Sequence, residues 1–187
     1  MKTINYHQLN ETDLTETLFA NFNRYQEVTK CWRKENGQWI LKDLAFTEQW
    51  GPAEYRFLIK CLINTIKTGG CVLGAYDHNV LIGFASVENE FFGPKNEYLQ
   101  LSSLHISQEY RGRGLGKNLF YQAARKAKEL GALKLYISAH SSQETQAFYR
   151  ALGCVEAEVY NEELVAAEPC DCQLEYRLNE LDEPMGK

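Results

Sequence analysis

The sequence predicts an α/β (α+β) fold in which a mixed, mostly antiparallel sheet is flanked by helices. Three strand-like segments, 71–76, 80–91 and 98–106, follow one another with only tight turns between them. This order is typical of an antiparallel meander. Beyond residue 106 the pattern alternates between helix and strand. The length fits one domain of ordinary size, so residues 1–187 are predicted to form a single domain.

The N-terminal part of the chain is predicted to hold two helices with a hairpin between them. Apolar residues recur at near-helical spacing over 11–24. Asn36-Gly37 lies between two strand-like stretches and accepts the positive φ of a type I′ turn, which predicts the hairpin. Pro52 opens a predicted helix that runs to about residue 67, and Gly69-Gly70 ends it.

The later elements follow from periodicity and from residues that cap helices. They are a helix over about 114–130, a strand over 133–139, a helix over about 143–152, and strands over about 155–160 and 173–178. Ser141 or Ser142 is the expected N-cap of the second of these helices. The tail, 179–187, is polar and expected to fray.

Composition excludes several classes of protein. The formal net charge of -5 argues against a nucleic-acid partner, because phosphate binding favours a basic surface. No apolar run approaches the ~20 residues of a membrane helix, and the N-terminus lacks the apolar core of a signal peptide. The six cysteines, which include Cys170 and Cys172, show no zinc-site spacing. We therefore expect a cytoplasmic protein with reduced thiols and no metal or membrane partner.

A loop rich in glycine and arginine, Arg111-Gly112-Arg113-Gly114-Leu115-Gly116, precedes the helix at about residue 114 and is followed by Lys117. A helix N-terminus offers unpaired N–H groups, and glycine lets the backbone approach an anion closely. Basic side chains add donors, so the loop suits a pyrophosphate. A Walker loop is excluded because Asn118 stands where Ser or Thr is needed. A dinucleotide-binding fingerprint is also excluded, because the loop lacks the third glycine of that motif.

The order of elements over roughly residues 70–178 resembles the GNAT superfamily of N-acetyltransferases. Arg111-x-x-Gly114-x-Gly116 is similar to that family's pyrophosphate loop. The segment from Ser142 through Phe148-Tyr149 to Gly153 is similar to its second cofactor motif, with Ser142 where the family commonly has Asn. The resemblance implies a GNAT-like sheet with helices on both faces, an extra N-terminal hairpin, an acceptor side in 1–69 and an acetyl-CoA-binding core in 70–178.

The resemblance also implies the reaction, in which the amine of a small molecule attacks acetyl-CoA directly. No metal is implied, and a homodimer is a family expectation. The backbone of residues 104–106 would pair with the pantetheine arm and supply an oxyanion donor. The implied cofactor-binding residues are Leu104, His105, Ile106, Arg111, Gly112, Arg113, Gly114, Leu115, Gly116, Lys117, Ser142, Phe148 and Tyr149.

Tyr149 is predicted to be the general acid, because it matches the family's frequent thiolate-protonating tyrosine and its ordinary pKa of about 10 suits a thiol leaving group. A core aromatic residue is the alternative. Glu88 and Glu90, both predicted as catalytic, and Glu97 are candidate bases acting through water. A shift of one residue in hairpin register would exchange the faces of Glu88 and Glu90, so the choice stays open.

Gln100 and Ser102 fall where relatives place a base, and both are predicted to bind substrate. His105 is expected to alternate away from them along the strand and to be packed or exposed rather than catalytic. Trp32 and Trp39 are predicted to bring the hairpin to the edge of the acceptor cleft, where aromatic rings suit an organic cation. Core packing explains the same tryptophans equally well.

Two further functions fit the sequence. One is acetylation of a peptide or protein, which would need an open groove rather than a closed pocket. The other is a non-catalytic acyl-CoA-binding sensor, because Gln100 cannot act as a base. The sequence does not identify the acceptor.

Overall fold

The computed structural model describes residues 4–182, which form a seven-stranded mixed sheet, a separate two-stranded hairpin and four α-helices. The strands are β1 (Ile4–Leu9), β2 (Gln26–Glu35), β3 (Gln38–Glu48), β4 (Cys71–Asp77), β5 (Val80–Val87), β6 (Tyr98–Ile106), β7 (Lys134–Ala139), β8 (Val155–Glu156) and β9 (Cys172–Arg177). The helices are α1 (Pro52–Lys67), α2 (Leu115–Glu129), α3 (Gln143–Ala151) and α4 (Glu162–Ala167).

The sheet has the strand order β1-β4-β5-β6-β7-β9-β8. Every neighbouring pair is antiparallel except β6 and β7, which are parallel. The predicted fold class, a mixed and mostly antiparallel sheet with helices on both faces and an additional hairpin, is confirmed.

Two apolar clusters bury the two faces of the sheet. On one face, Leu119 and Phe120 of α2 pack with Leu99 and Leu135, and Tyr149 of α3 joins the same cluster. On the other face, a second cluster contains residues of α1, of the segment before β2 and of β4 and β5, namely Leu62, Phe19, Val72 and Phe84. Helices α2 and α3 therefore lie opposite α1 across the sheet.

Several local predictions are confirmed because a single residue decides each of them. Asn36 and Gly37 both have positive φ, 50° and 80°, as a type I′ turn requires. Helix α1 begins at Pro52, where the Glu54 carboxylate accepts a 2.8 Å hydrogen bond from the Gly51 N–H. It ends before Gly69, whose φ is +88°.

The predicted helix over 11–24 is wrong. Two short 3-10 turns, Glu11–Asp13 and Glu16–Phe19, take its place. The side chains of Asn10 and Thr15 each accept a backbone N–H, from Thr12 and Leu18 respectively, and these local bonds compete with a continuous helix. The apolar spacing instead reflects the packing of this segment against the second cluster. Strand β1 and the full length of the hairpin were not predicted.

The other differences concern strand lengths and one short helix. The strand predicted over 80–91 ends at Val87, and the one predicted over 155–160 is reduced to Val155–Glu156. Helix α4 was not predicted, although Asn161 caps it by accepting N–H bonds from Glu163 and Leu164. Of the predicted tail, Leu178–Asp182 forms a 3-10 turn and residues 183–187 lie outside the described residues.

Candidate active site

Strands β6 and β7 separate part of the way along the sheet. They pair only from Tyr98↔Lys134 to Gln100↔Tyr136, whereas β6 runs on to Ile106 and β7 to Ala139. Past Gln100, β6 is paired with β5 on its other side. Buried backbone N–H and C=O groups need partners, so the edge that faces the split suits an extended ligand with amide groups of its own.

A β-bulge lies where the split begins. The pairing of β5 with β6 passes from Ser86↔Ser103 to Val87↔Leu101, so that Ser102 is an extra residue. Its hydroxyl contacts Ser86 Oγ at 2.7 Å and also donates to the Glu88 carboxylate.

The bulge overturns one prediction about His105. The extra residue shifts the side-chain alternation by one, so His105 lies on the same face as Ser102 rather than on the opposite one. Ser102 reaches Glu88, which also accepts from Thr65 of α1, while His105 packs against Phe84 on the α1 side of the sheet. Strict alternation fails wherever a strand contains a bulge.

The glycine-rich loop begins α2 at the end of the split. Gly112 and Gly114 have φ of +73° and +78°, a conformation that L side chains rarely adopt, and no atom lies within 4 Å of a Cβ placed at either position. Helix α2 begins at Leu115, so the first N–H groups, including those of Gly116 and Lys117, have no acceptor within the helix. These features fit an anionic group such as a pyrophosphate.

The basic side chains of this loop also hold it in shape. Arg111 Nε donates to the Ile106 carbonyl at 3.0 Å, which ties the loop to the end of β6. Arg113 donates to the Glu109 carbonyl at 2.8 Å. Burial lowers the pKa of Arg111, and the nearby charge of Arg24 lowers it further. An anion bound here would offset that repulsion.

The start of α2 packs directly against α3. A Cβ at Gly116 would lie 3.2 Å from the Phe148 ring and 3.7 Å from an Ile106 side-chain carbon. One place in the structure thus brings together the glycine-rich loop, the end of β6 and the aromatic pair of α3. This proximity is what two motifs that serve one cofactor require. Leu104 and Ile106 pack on this same face of the sheet.

Helix α3 places Ser142 and Tyr149. The Ser142 side chain accepts from the Thr145 N–H and is fully buried, so Ser142 rather than Ser141 is the N-cap. The Tyr149 ring is 6% exposed and packs against Phe148 and Phe120 at centroid distances of 5.1 and 6.1 Å. Burial raises the pKa of Tyr149 well above its usual value, so the phenol keeps its proton at neutral pH.

The two candidate bases differ in their surroundings. The Glu88 carboxylate is half-buried and accepts hydrogen bonds from Thr65 and Ser102, beside the bulge. Glu90 lies beyond the end of β5 and is exposed. Gln100 is half-buried, and its backbone carbonyl accepts a hydrogen bond from the Glu88 backbone N–H at 2.9 Å. Glu88, Gln100 and Ser102 therefore lie together at the start of the split.

Sequence reasoning missed a polar network that crosses the split on the α1 side. Arg24 Nε donates to His105 Nδ1 at 3.0 Å, and another Arg24 nitrogen lies 3.3 Å from Glu48. Glu48 also lies 3.4 Å from His140 Nε2, just beyond the end of β7. Gln26 donates to Ser142 Oγ at 3.3 Å. The paired residues are 24 to 116 positions apart in the chain, so local spacing gives no signal for this network.

His105 is held neutral in this network. Its pKa falls to about 3, mainly because burial disfavours the charged ring, and the charges of Arg24 and Arg111 act in the same direction. Since Nδ1 accepts from Arg24, the ring proton is on Nε2. His105 is therefore packed, as predicted, and serves as a hydrogen-bond acceptor for a buried guanidinium.

The two hairpin tryptophans make contacts away from the network. The Trp32 ring lies under the Arg150 guanidinium at 4.9 Å, and the Trp32 backbone N–H donates to the Ser141 carbonyl at 2.8 Å. Trp39 Nε1 donates to Glu156 at 3.1 Å. The hairpin thus closes over the connection from β7 to α3. The tryptophan near the network is Trp50, 5.3 Å from the Arg24 guanidinium carbon and 4.9 Å from the His105 ring.

All six cysteines are free thiols in the structure. Within residues 4–182, no group of three or more His, Cys, Asp or Glu side chains is arranged to hold a metal ion. No helix among these residues is long and apolar enough to cross a membrane.

The split in the mixed sheet and the glycine-rich helix N-terminus together define a site for an extended ligand that carries amide groups and an anionic group. A sequence model described as the acetyltransferase (GNAT) family matches residues 16–154, and this chain belongs to that family. It is an acetyl-CoA-dependent acetyltransferase. No curated protein matches the sequence.

Solved structures are similar over nearly the whole chain. A streptothricin acetyltransferase described as putative, from Bacillus anthracis in complex with acetyl coenzyme A, is 18% identical with a TM-score of 0.69, over 92% of this chain and 96% of its own. Nourseothricin acetyltransferase is 15% identical with a TM-score of 0.67, over 94% and 98%. The PaiA N-acetyltransferase from Thermoplasma acidophilum, with coenzyme A, is 18% identical with a TM-score of 0.58, over 94% and 99%. At these identities the likeness shows the fold alone.

Proposed function

We propose that this chain transfers an acetyl group from acetyl-CoA to a primary amine of a small molecule. The observation that carries the proposal is the closure of the split by the hairpin. Strand β2 is joined to the connection after β7 by the hydrogen bond from the Trp32 backbone N–H to the Ser141 carbonyl and by an isolated antiparallel β-bridge between Cys31 and Ser142. A covered split leaves room for a small acceptor, whereas a peptide would need an open groove.

Acetyl-CoA supplies the acetyl group as a thioester. The N–H groups of the loop over Gly112, Gly114 and Gly116, with Arg111 and Lys117, would hold its phosphates. The edge of β6 over Leu104–Ile106 would hold its amide-containing arm, and a backbone N–H of this edge would stabilise negative charge on the carbonyl oxygen. Ser142 and Phe148 would contact the same arm from α3.

Two side chains are assigned to proton transfer. Tyr149 is assigned as the general acid because it matches the family's frequent thiolate-protonating tyrosine, and it keeps its proton at neutral pH because burial raises its pKa. For the base we assign Glu88 rather than Glu90, because its carboxylate is hydrogen-bonded to Ser102 at the start of the split. The proton of the amine reaches Glu88 directly or through the Ser102 hydroxyl. Gln100, beside them, positions the acceptor.

The support from relatives is consistent with this substrate class, since the named similar structures include acetyltransferases for nourseothricin and streptothricin. The test is a screen of primary amines, including nourseothricin and polyamines, with acetyl-CoA, in which release of free thiol is followed. We expect at least one amine to give acceptor-dependent release. Release that never exceeds the amine-free background, together with binding of acetyl-CoA, would favour a sensor instead.

A further inference from the structure

Glu48 lies where the hairpin crosses the split, on the face opposite the glycine-rich loop. Its carboxylate is held from two sides, by Arg24 at 3.3 Å and by His140 Nε2 at 3.4 Å. His140 Nδ1 accepts the Ser142 N–H at 3.2 Å, so in the neutral ring the proton is on Nε2 and faces Glu48. Both contacts fix the position of the carboxylate on elements that frame the split.

The Glu48 carboxylate remains partly accessible although its partner Arg24 is buried. The Glu48 side chain is 32% exposed, whereas that of Arg24 is 9% exposed. A carboxylate has about four acceptor positions, and the two contacts leave some of them free for a ligand. Arg24 is also committed elsewhere, because it donates to His105 and to Gln26. Glu48 is thus a carboxylate of fixed orientation with free hydrogen-bond acceptor positions.

The surroundings of Glu48 suit an organic cation. The Phe46 ring lies 6.0 Å from the His140 ring, and Trp50 lies beside Arg24 on the same side. Aromatic faces and a carboxylate are the groups that proteins use to bind ammonium and guanidinium ions.

Asp171 adds a second carboxylate near His140. Its side chain lies 3.3 Å from Ser138 Oγ near the end of β7. Burial raises the pKa of Asp171, the charge of His140 opposes this, and the charges of Glu168 and Glu48 raise it further. A positive charge brought to this region would relieve the repulsion between the carboxylates.

We propose that Glu48 binds a second cationic group of the acceptor, distal to the amine that is acetylated. The acceptor role rests on the proposed function, whereas the binding of the cation does not. The acceptor class is therefore a small molecule with two or more ammonium or guanidinium groups, and a monoamine of the same length lacks the group that Glu48 recognises. Arg24 and His140 are positioning residues, which hold the Glu48 carboxylate.

The experiment compares cadaverine with pentylamine, which have the same carbon chain and differ by one ammonium group. Binding of each to the coenzyme A-saturated protein is measured by calorimetry, and KM for each amine, for nourseothricin and for acetyl-CoA is measured by thiol release. The variants are Glu48→Gln, the conservative Glu48→Asp, and Asp43→Asn as a control. Asp43 is on the same hairpin, its side chain is 89% exposed, and its loss changes the net charge equally.

We expect wild-type protein to bind cadaverine more tightly than pentylamine. Glu48→Gln should weaken cadaverine binding about tenfold while changing pentylamine binding and the KM for acetyl-CoA by less than about twofold. Glu48→Asp should restore part of the loss, and Asp43→Asn should behave as wild type. A melting temperature measured for each variant separates this effect from unfolding.

The inference is overturned if wild type does not distinguish the two amines, or if Glu48→Gln weakens both equally. Equal weakening together with a raised KM for acetyl-CoA would show that Glu48 only supports the fold of the hairpin. If cadaverine binds in a Glu48-dependent manner but no amine is acetylated, the proposed function fails and the cation site stands. The two failures are therefore distinguishable.

Discussion

The Tyr149 hydroxyl keeps its proton at neutral pH, because burial raises its pKa above the usual value, and it is the proposed donor to the leaving thiolate. Tyr149→Phe removes the proton and keeps the ring that packs on Phe148 and Phe120. We expect kcat to fall by about 10²-fold or more, with the KM for acetyl-CoA unchanged. Steady-state kinetics at several acetyl-CoA concentrations measure both values.

Tyr160→Phe is the matched control, because it also removes a tyrosine hydroxyl but from a surface contact with Lys34 and Glu156. It should keep wild-type turnover. Equal turnover in the Tyr149 and Tyr160 variants would remove Tyr149 from proton transfer and leave it as a core aromatic residue.

His105 gives the protein a pH-dependent contribution to stability. The folded protein keeps the ring neutral, with a pKa of about 3, whereas the ordinary value is 6.5. The unfolded chain therefore binds a proton that the folded chain does not as pH falls below 6.5. The stabilisation is complete above that pH and is lost progressively towards pH 3.

We expect His105→Gln to remove this contribution. Between about pH 7 and pH 5, wild type should lose about 2 kcal/mol more of its free energy of unfolding than the variant does. Urea unfolding at the two pH values measures the difference. His7→Gln, which changes an exposed imidazole, should lose as much as wild type. A His105 variant that also loses as much as wild type would contradict the neutral buried ring.

The glycine-rich loop can be tested by comparing one of its glycines with a glycine in the hairpin turn. Gly114 and Gly37 have nearly the same φ, +78° and +80°, and neither has an atom within 4 Å of an added Cβ. Replacing either with Ala should therefore cost a similar amount of stability, about 1 kcal/mol, through backbone strain.

Only the Gly114→Ala variant should raise the KM for acetyl-CoA, by about tenfold or more, because its Cβ lies where phosphate oxygens would approach the backbone. Gly37→Ala changes the hairpin turn and should leave that KM as in wild type. Kinetics and melting temperatures of the pair separate cofactor binding from strain. Equal KM values in the two variants would place the phosphates elsewhere.

Elements were predictable from sequence where one residue type decides the local geometry. The turn at Asn36-Gly37 and the start of α1 at Pro52 are such cases. The segment before β2 was mispredicted, because tertiary packing produced its apolar spacing while Asn10 and Thr15 broke the helix. The bulge at Ser102 left no local signal, and it reversed the expected face of His105.

At the scale of the whole molecule, the two ends of the site differ in how far sequence could define them. The cofactor end is built from consecutive residues, Arg111 to Lys117, and from one helix motif, so its pattern is visible in the chain. The acceptor end depends on contacts between distant segments, such as the bond from Arg24 to His105 and the contact of Glu48 with His140. Periodicity and spacing carry no information about such pairs.

The arrangement of the hairpin predicts different roles for two tryptophans. Trp50→Leu should raise the KM for the acceptor by about fivefold or more, because Trp50 packs on Arg24 and His105 beside the split. Trp39→Leu should leave that KM unchanged and lower the melting temperature, because Trp39 anchors the hairpin to Glu156. An acceptor KM raised only in the Trp39 variant would contradict this assignment and support the substrate-binding role predicted for Trp39 from sequence.

The proposed acceptor is the primary amine of a small molecule. The most direct measurement is mass spectrometry of one mixture that contains acetyl-CoA, the protein, small primary amines, matched alcohols and a lysine-containing peptide. We expect a small amine to gain one acetyl group and the alcohols and the peptide to gain none. Acetylation of the peptide alone, or of none of these compounds, would contradict it.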